Sequence, residues 1–189
     1  MPLKVSFELS DRDLRHFRKV MREARATAKT TSEEEIVEGS HQLLAHVRQS
    51  PLPDFVRERL LHIDKFLAML ADEDWALDGD NRERIVSALA YFNDPVDLIP
   101  DHIPGFGFID DAVMVELVCQ ELQHDLEAYD DFCAFRKELK RKRRAAGGEE
   151  LIESRRDQLH ARMQRRRKRR AGRSQRRPAA AKKAPFSLW

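Results

Sequence analysis

Hydrophobic and polar positions change period early in the chain. Residues 3–9 alternate, with Val5, Phe7 and Leu9 on one side, which fits a short strand or an extended lead-in. From Leu14 the spacing becomes helical, through Phe17, Met21 and Ala24, behind an N-cap at Ser10 supported by Asp13. Ser32 and Glu35 form a capping box ahead of a second stripe, Ile36, Leu43, Leu44 and Val47. Pro51 and Pro53 end that helix, because proline lacks an N–H and restricts its predecessor. A third helix is predicted over 54–70 on Phe55, Leu60, Ile63, Phe66, Leu67 and Leu70. Residues 72–81 are polar, with Trp75 and Leu77 expected to tuck against the core. A short fourth helix follows over 81–92 on Ile85, Val86, Leu89 and Phe92.

Residues 93–111 read NDPVDLIPDHIPGFGFIDD, whose prolines and glycines forbid a continuous helix. Its apolar content is too high for a solvated loop, so a structured, partly buried connection is expected. Asp110 or Asp111 then caps one long helix through Val113, Leu117, Leu122, Leu126, Phe132 and Phe135. Gly147 and Gly148 interrupt the pattern; 149–170 fits a polar, arginine-rich helix, and 171–189 is low-complexity and expected to be disordered. The last apolar residues, Phe186, Leu188 and Trp189, form a small tip of no evident purpose. The fold expected is all-α: a bundle of about five helices with a Pro/Gly-rich connection, followed by a basic helical-to-disordered tail.

Charge divides this pattern in two. The 189 residues sum to +2, but residues 1–135 hold 14 Lys/Arg against 28 Asp/Glu, and residues 136–189 hold 21 against 5. Between Ile85 and Phe135 there is no Lys or Arg, against eleven carboxylates. An acidic helical domain over 1–138 and a basic tail over 139–189 follow, with an anionic partner for the tail. The most apolar stretch, Phe106–Leu122, is broken by Asp110, Asp111, Glu116 and Glu121, so no membrane-spanning helix is expected. The N-terminus lacks the apolar core of a secretory signal, and Cys119 and Cys133 make no CxxC pair. A cytoplasmic protein, or one peripheral at the inner membrane, is the expectation.

The clearest candidate chemistry is Asp94, Asp97, Asp101, Asp110 and Asp111, five carboxylates within eighteen residues and without a neighbouring cation. Such a cluster raises some of its own pKa values or recruits Mg²⁺, Mn²⁺ or Ca²⁺, with His102 as a further ligand. The competing reading, and the stronger one, makes each aspartate a helix or turn cap beside proline. Glu38/His41 and Glu121/His124 repeat the Glu-x-x-His unit of di-iron bundles, but seven histidines among sixteen glutamates produce such pairs by chance. Neither Ser32 nor Ser40 sits in a nucleophile elbow, Cys119 reads as core, Cys133 has no nearby base, and Gly105-x-Gly107 lacks the rest of a phosphate loop. The reading leans to a non-enzymatic protein with no cofactor, Mg²⁺ or Mn²⁺ being the alternative.

In the tail, Lys140, Arg141, Lys142, Arg143 and Arg144 form one basic run, and Arg165, Arg166, Arg167, Lys168, Arg169 and Arg170 a second. Arginine forks suit bidentate phosphate contact, and no aromatics are interleaved for base stacking. The expected ligand is a phosphate backbone of RNA or DNA, recognised without sequence specificity. Six phosphate contacts would lower affinity about 10³-fold between 50 and 200 mM salt. An anionic membrane surface and the protein's own acidic domain are the competing anions.

Residues 91–111, YFNDPVDLIPDHIPGFGFIDD, resemble the signature of the YkvA-like domain, a widespread bacterial domain of unknown function. The resemblance rests on Asp94, Pro95, Asp97, Leu98, Ile99, Pro100, Asp101, Ile103, Pro104, Gly107, Asp110 and Asp111, and extends over about 85–126. It implies no reaction, ligand or catalytic residue. Some members look like membrane proteins, but the helix after the signature is charged and amphipathic here, unlike theirs.

Overall fold

The computed structural model describes residues 8–27, 31–77, 79–93, 103, 108–141 and 148–175. The two caps read from the sequence are built as expected. Ser10 opens α1 (Asp11–Thr27), its N–H donating to Asp13 Oδ2 at 2.8 Å. At α2 (Glu33–Gln49) the box is reciprocal. Ser32 Oγ accepts the Glu35 N–H at 3.2 Å and the Glu35 carboxylate accepts the Ser32 N–H at 3.0 Å. Past Ser50 the chain turns through the two prolines, and Arg57 pins the corner by donating to the Val47 and Ser50 carbonyls at 3.2 and 2.9 Å.

Two expected helices are each divided. The segment 54–70 is α3 (Asp54–Leu60) and α4 (His62–Ala71), separated at Leu61. The long helix expected after Asp110 is α6 (Ile109–Glu121) and α7 (Gln123–Arg141), separated at Leu122. Leu122 is itself buried, at 1% exposure. Its N–H still bonds Val118 O at 2.8 Å while its carbonyl receives Asp125 and Leu126 at 2.9 Å. One helix therefore closes and the next opens on an apolar residue, without the glycine or proline that normally marks a break. Between these pairs lie α5 (Gly79–Leu89) and a 3₁₀ turn at Ala90–Asn93.

Asp110 and Asp111 are not the cap of α6. That position is Phe108, in left-handed backbone (φ 65°) with no side-chain capping bond, and Ala112 N–H reaches its carbonyl at 2.9 Å. The two aspartates lie in the first turn instead, buried at 2% and 8%, where the helix N-terminus favours negative charge. No strand occurs among the described residues; the alternating lead-in at 3–7 lies outside them, as does most of the Pro/Gly-rich connection.

The core is one cluster, with Trp75, Phe66, Phe108, Phe132 and Met114 among its largest fully buried side chains. Trp75 enters as expected, held by an Asx-type turn in which its N–H bonds Asp72 Oδ1 at 3.2 Å. Packing brings α3 onto α6, α2 onto α5 and the 3₁₀ turn, and α7 onto the last helix, α8 (Gly148–Gln175). The arginine-rich helix read over 149–170 is thus present, and its Leu159 and Met163, each 1% exposed, belong to the core. The boundary drawn at 138/139 falls inside α7, which continues to Arg141.

Candidate polyanion interface

On α8 the apolar anchors Leu159 and Met163 are four residues apart, and His160 and Ile152 extend the same side. His160 stands edge-on to Trp75, ring centroids 4.3 Å apart, and the Arg155 guanidinium lies over Phe135 at 5.8 Å. This face carries the helix back along α7. Arg162 meets Asp131 at 3.2 Å and Arg166 meets Glu127, so each step forward on α8 is a step back on α7. The pair is an antiparallel hairpin.

That packing divides the six-residue basic run. Arg166, Arg167 and Arg170 lie on the inward side. Arg166 is bonded to Glu127, Arg167 donates to Asn81 Oδ1 and sits 3.7 Å from Asp125, and Arg170 donates to Gln120 O at 2.8 Å. Arg165, Lys168 and Arg169 are exposed and make no ion pair among the described residues. Lys168 and Arg169 stand three and four residues beyond Arg165, and the three form a stripe along the outer face, with Lys168 at its edge bordering the cavity beside α8. From the first basic run only Lys140 and Arg141 are described. Both are exposed at the end of α7, and Arg141 is engaged by Glu138 at 2.9 Å. Lys142, Arg143 and Arg144 lie outside the described residues. In the hairpin register Lys140 and the Arg169 region are about sixteen residues apart, or about 24 Å along the rod. Lys140 and Arg141 are therefore separated from the outer end of the second run.

Asp125 is the electrostatic centre of the anchor. It is 1% exposed, receives Arg84 at 3.1 Å from α5, and has Arg167 at 3.7 Å from α8. Burial pushes its carboxyl above the usual range, and the two guanidinium groups oppose that shift without cancelling it. The acidic window from 85 to 135 is served from outside itself. Arg59 lies 3.6 Å from Glu116 and Lys65 bonds Asp130, while α8 supplies Arg162, Arg166 and Arg167. The near-neutral total has a physical counterpart in these contacts.

A cavity of about 860 Å³ opens beside the anchor, between α1, α5, the α6–α7 junction and α8. Glu121 and His124 line it, whereas His41 lines a separate cavity of about 450 Å³, so the two Glu-x-x-His pairs do not converge. Of the five candidate aspartates, Asp110 and Asp111 are described; Asp94, Asp97 and Asp101, with His102, lie outside. Among the described residues no three His, Cys, Asp or Glu side chains are grouped to hold a metal ion. Burial, with Glu116 adding to it, pushes the Cys119 thiol up to about 12, the behaviour of an inert core cysteine. Asp125, Asn81 and Arg84 were not singled out by the sequence. Their partners lie 41 to 86 residues away, and no local motif joins them.

Together these features define an all-helical protein whose basic terminal helix is clamped to an acidic body. A family model described as a protein of unknown function (DUF1232) matches residues 84–117. The uncharacterized membrane protein YkvA of Bacillus subtilis (strain 168) is 35% identical over 75 residues, covering 36% of this chain and 69% of the relative. The chain belongs to this YkvA-like family of unknown function. No solved structure matches it. No helix among the described residues is long and apolar enough to cross a membrane.

Proposed function

We propose that this YkvA-like protein is a non-enzymatic module that docks onto the phosphate backbone of nucleic acid through the outer stripe of α8. The observation that carries the reading is the division of the basic run. Its inner arginines are engaged by the body, while Arg165, Lys168 and Arg169 are exposed and without carboxylate partners among the described residues. Held on a helix that is fixed to a folded core, they need no ordering on contact, so less conformational entropy opposes binding. Three phosphate contacts correspond to a salt slope of about −2.7 on duplex DNA, or an affinity loss of about 40-fold between 50 and 200 mM.

The test uses the full chain, because removing α8 would uncover Trp75 and Phe135, on which its His160 and Arg155 rest. Binding of a duplex DNA and of an RNA oligonucleotide is measured across a salt series for the parent and for the Arg165→Ala/Arg169→Ala variant. Loss of about 1.8 from the slope supports the reading; an unchanged slope overturns it.

A second reading places the same stripe on an anionic membrane surface. It is favoured by the description of the Bacillus subtilis relative as a membrane protein. Polybasic residues near such a surface contribute about 1 kcal/mol each, and the association would be peripheral. Sedimentation with phosphatidylserine vesicles, compared with phosphatidylcholine vesicles, separates it from nucleic-acid docking.

A further inference from the structure

We propose that the cavity between α1, α5, the α6–α7 junction and α8 binds a phosphate monoester of a hydroxyl-bearing small molecule, a nucleotide or sugar phosphate. Its volume of about 860 Å³ falls in the range of small-molecule sites. Five cations from three helices line it: Arg18 from α1, Arg84 from α5, and Arg167, Lys168 and Arg170 from α8. Nothing in the sequence places these residues together.

Three of them are held from behind. Arg84 and Arg167 share Asp125, at 3.1 and 3.7 Å, and Arg170 is fixed by Gln120 O at 2.8 Å. Guanidinium groups positioned in advance lose little freedom when an anion arrives. Arg18 and Lys168 make no ion pair among the described residues, so their charge is available to a phosphate.

The wall also carries Asp80 and Glu121. Two carboxylates oppose a bare phosphate but accept hydrogen bonds from hydroxyl groups, which favours a ligand with both. Met21 and Leu117, each 5% exposed, add an apolar surface on which a sugar or base can rest.

The decisive experiment is titration of the full chain with AMP, ribose 5-phosphate and adenosine at matched ionic strength, followed by calorimetry and thermal unfolding. AMP and ribose 5-phosphate are expected to bind saturably and raise the melting temperature, with adenosine at least tenfold weaker than AMP. Arg18→Ala is expected to weaken AMP at least tenfold, and Arg170→Ala to weaken it as a second variant from another helix. Arg165→Ala/Arg169→Ala, which removes the two residues of the outer stripe that do not line the cavity and leaves Lys168 in place, is expected to leave AMP binding unchanged, so this site and nucleic-acid docking fail independently. The proposal is overturned if neither phosphate ester binds saturably, if adenosine matches AMP, or if both cavity variants retain parental affinity.

Discussion

Asp125 concentrates at one residue the conflict between burial and charge that runs through this protein. At 1% exposure it loses its water, and Arg84 and Arg167 replace only part of what is lost, so its carboxyl is pushed upward. Removing it is nonetheless costly, because two guanidinium groups, 27% and 28% exposed, would lose their shared partner. Asp125→Ala is expected to destabilise by about 2–3 kcal/mol in urea unfolding, below the full penalty for a deeply buried pair. Asp72 shows the opposite balance. Burial raises its pKa, but hydrogen bonds from Arg136 (2.7 and 2.8 Å), Tyr129 (3.0 Å) and the Trp75 N–H outweigh it and hold the carboxyl below 3.8. A carboxylate lowered in the folded state contributes fully above its unfolded pKa and loses that contribution as pH falls below it. Stability measured against pH should therefore separate parent from Asp72→Asn by about 2 kcal/mol near neutrality, with the gap closing below about pH 4. Neither role was legible locally. Asp125 is one of eleven carboxylates in a window without cations, and its partners come from α5 and α8.

At the scale of elements, what was legible is what the backbone chemistry marks. Ser10 and Ser32 cap, Pro51 and Pro53 stop, and the helices expected behind them are present. The breaks at Leu61 and Leu122 were not legible, since neither has a glycine or proline beside it; Leu122 continues the apolar stripe and is buried, whereas Leu61 is exposed. The inner face of α8 left a faint trace, Leu159 and Met163 four apart within an arginine-rich stretch, easily read as a solvated helix. That pair anchors the helix. Met163→Ala is expected to cost about 2–4 kcal/mol and to raise amide exchange along both α7 and α8. Arg165→Ala, two residues away on the outer face, is expected to stay within about 0.5 kcal/mol. Equal effects from the two substitutions would mean that α8 is not packed as described.

For the whole molecule, the net charge of +2 resolves into a paired interior seam and an exterior stripe that makes no ion pair among the described residues. The sequence pointed to a basic tail acting through every residue of its two basic runs, 140–144 and 165–170. In the folded chain half of the second run is engaged with α6, α7 and Asn81, so the phosphate contacts available to a partner are correspondingly fewer. If α8 stays clamped, that run contributes a salt slope of about −2.7 on duplex DNA; if a polyanion strips it from the body, all six residues contribute and the slope approaches −5.4. The 85–126 signature carried the family but no chemistry: Asp110 and Asp111 are buried in the first turn of α6, and Asp94, Asp97 and Asp101 lie outside the described residues. The most direct measurement is the salt dependence of duplex DNA binding by the full chain, parent against Arg165→Ala/Arg169→Ala. A fall in slope of about 1.8, with unchanged melting temperature, is the predicted result. An identical slope in both proteins would contradict docking through the outer face of α8.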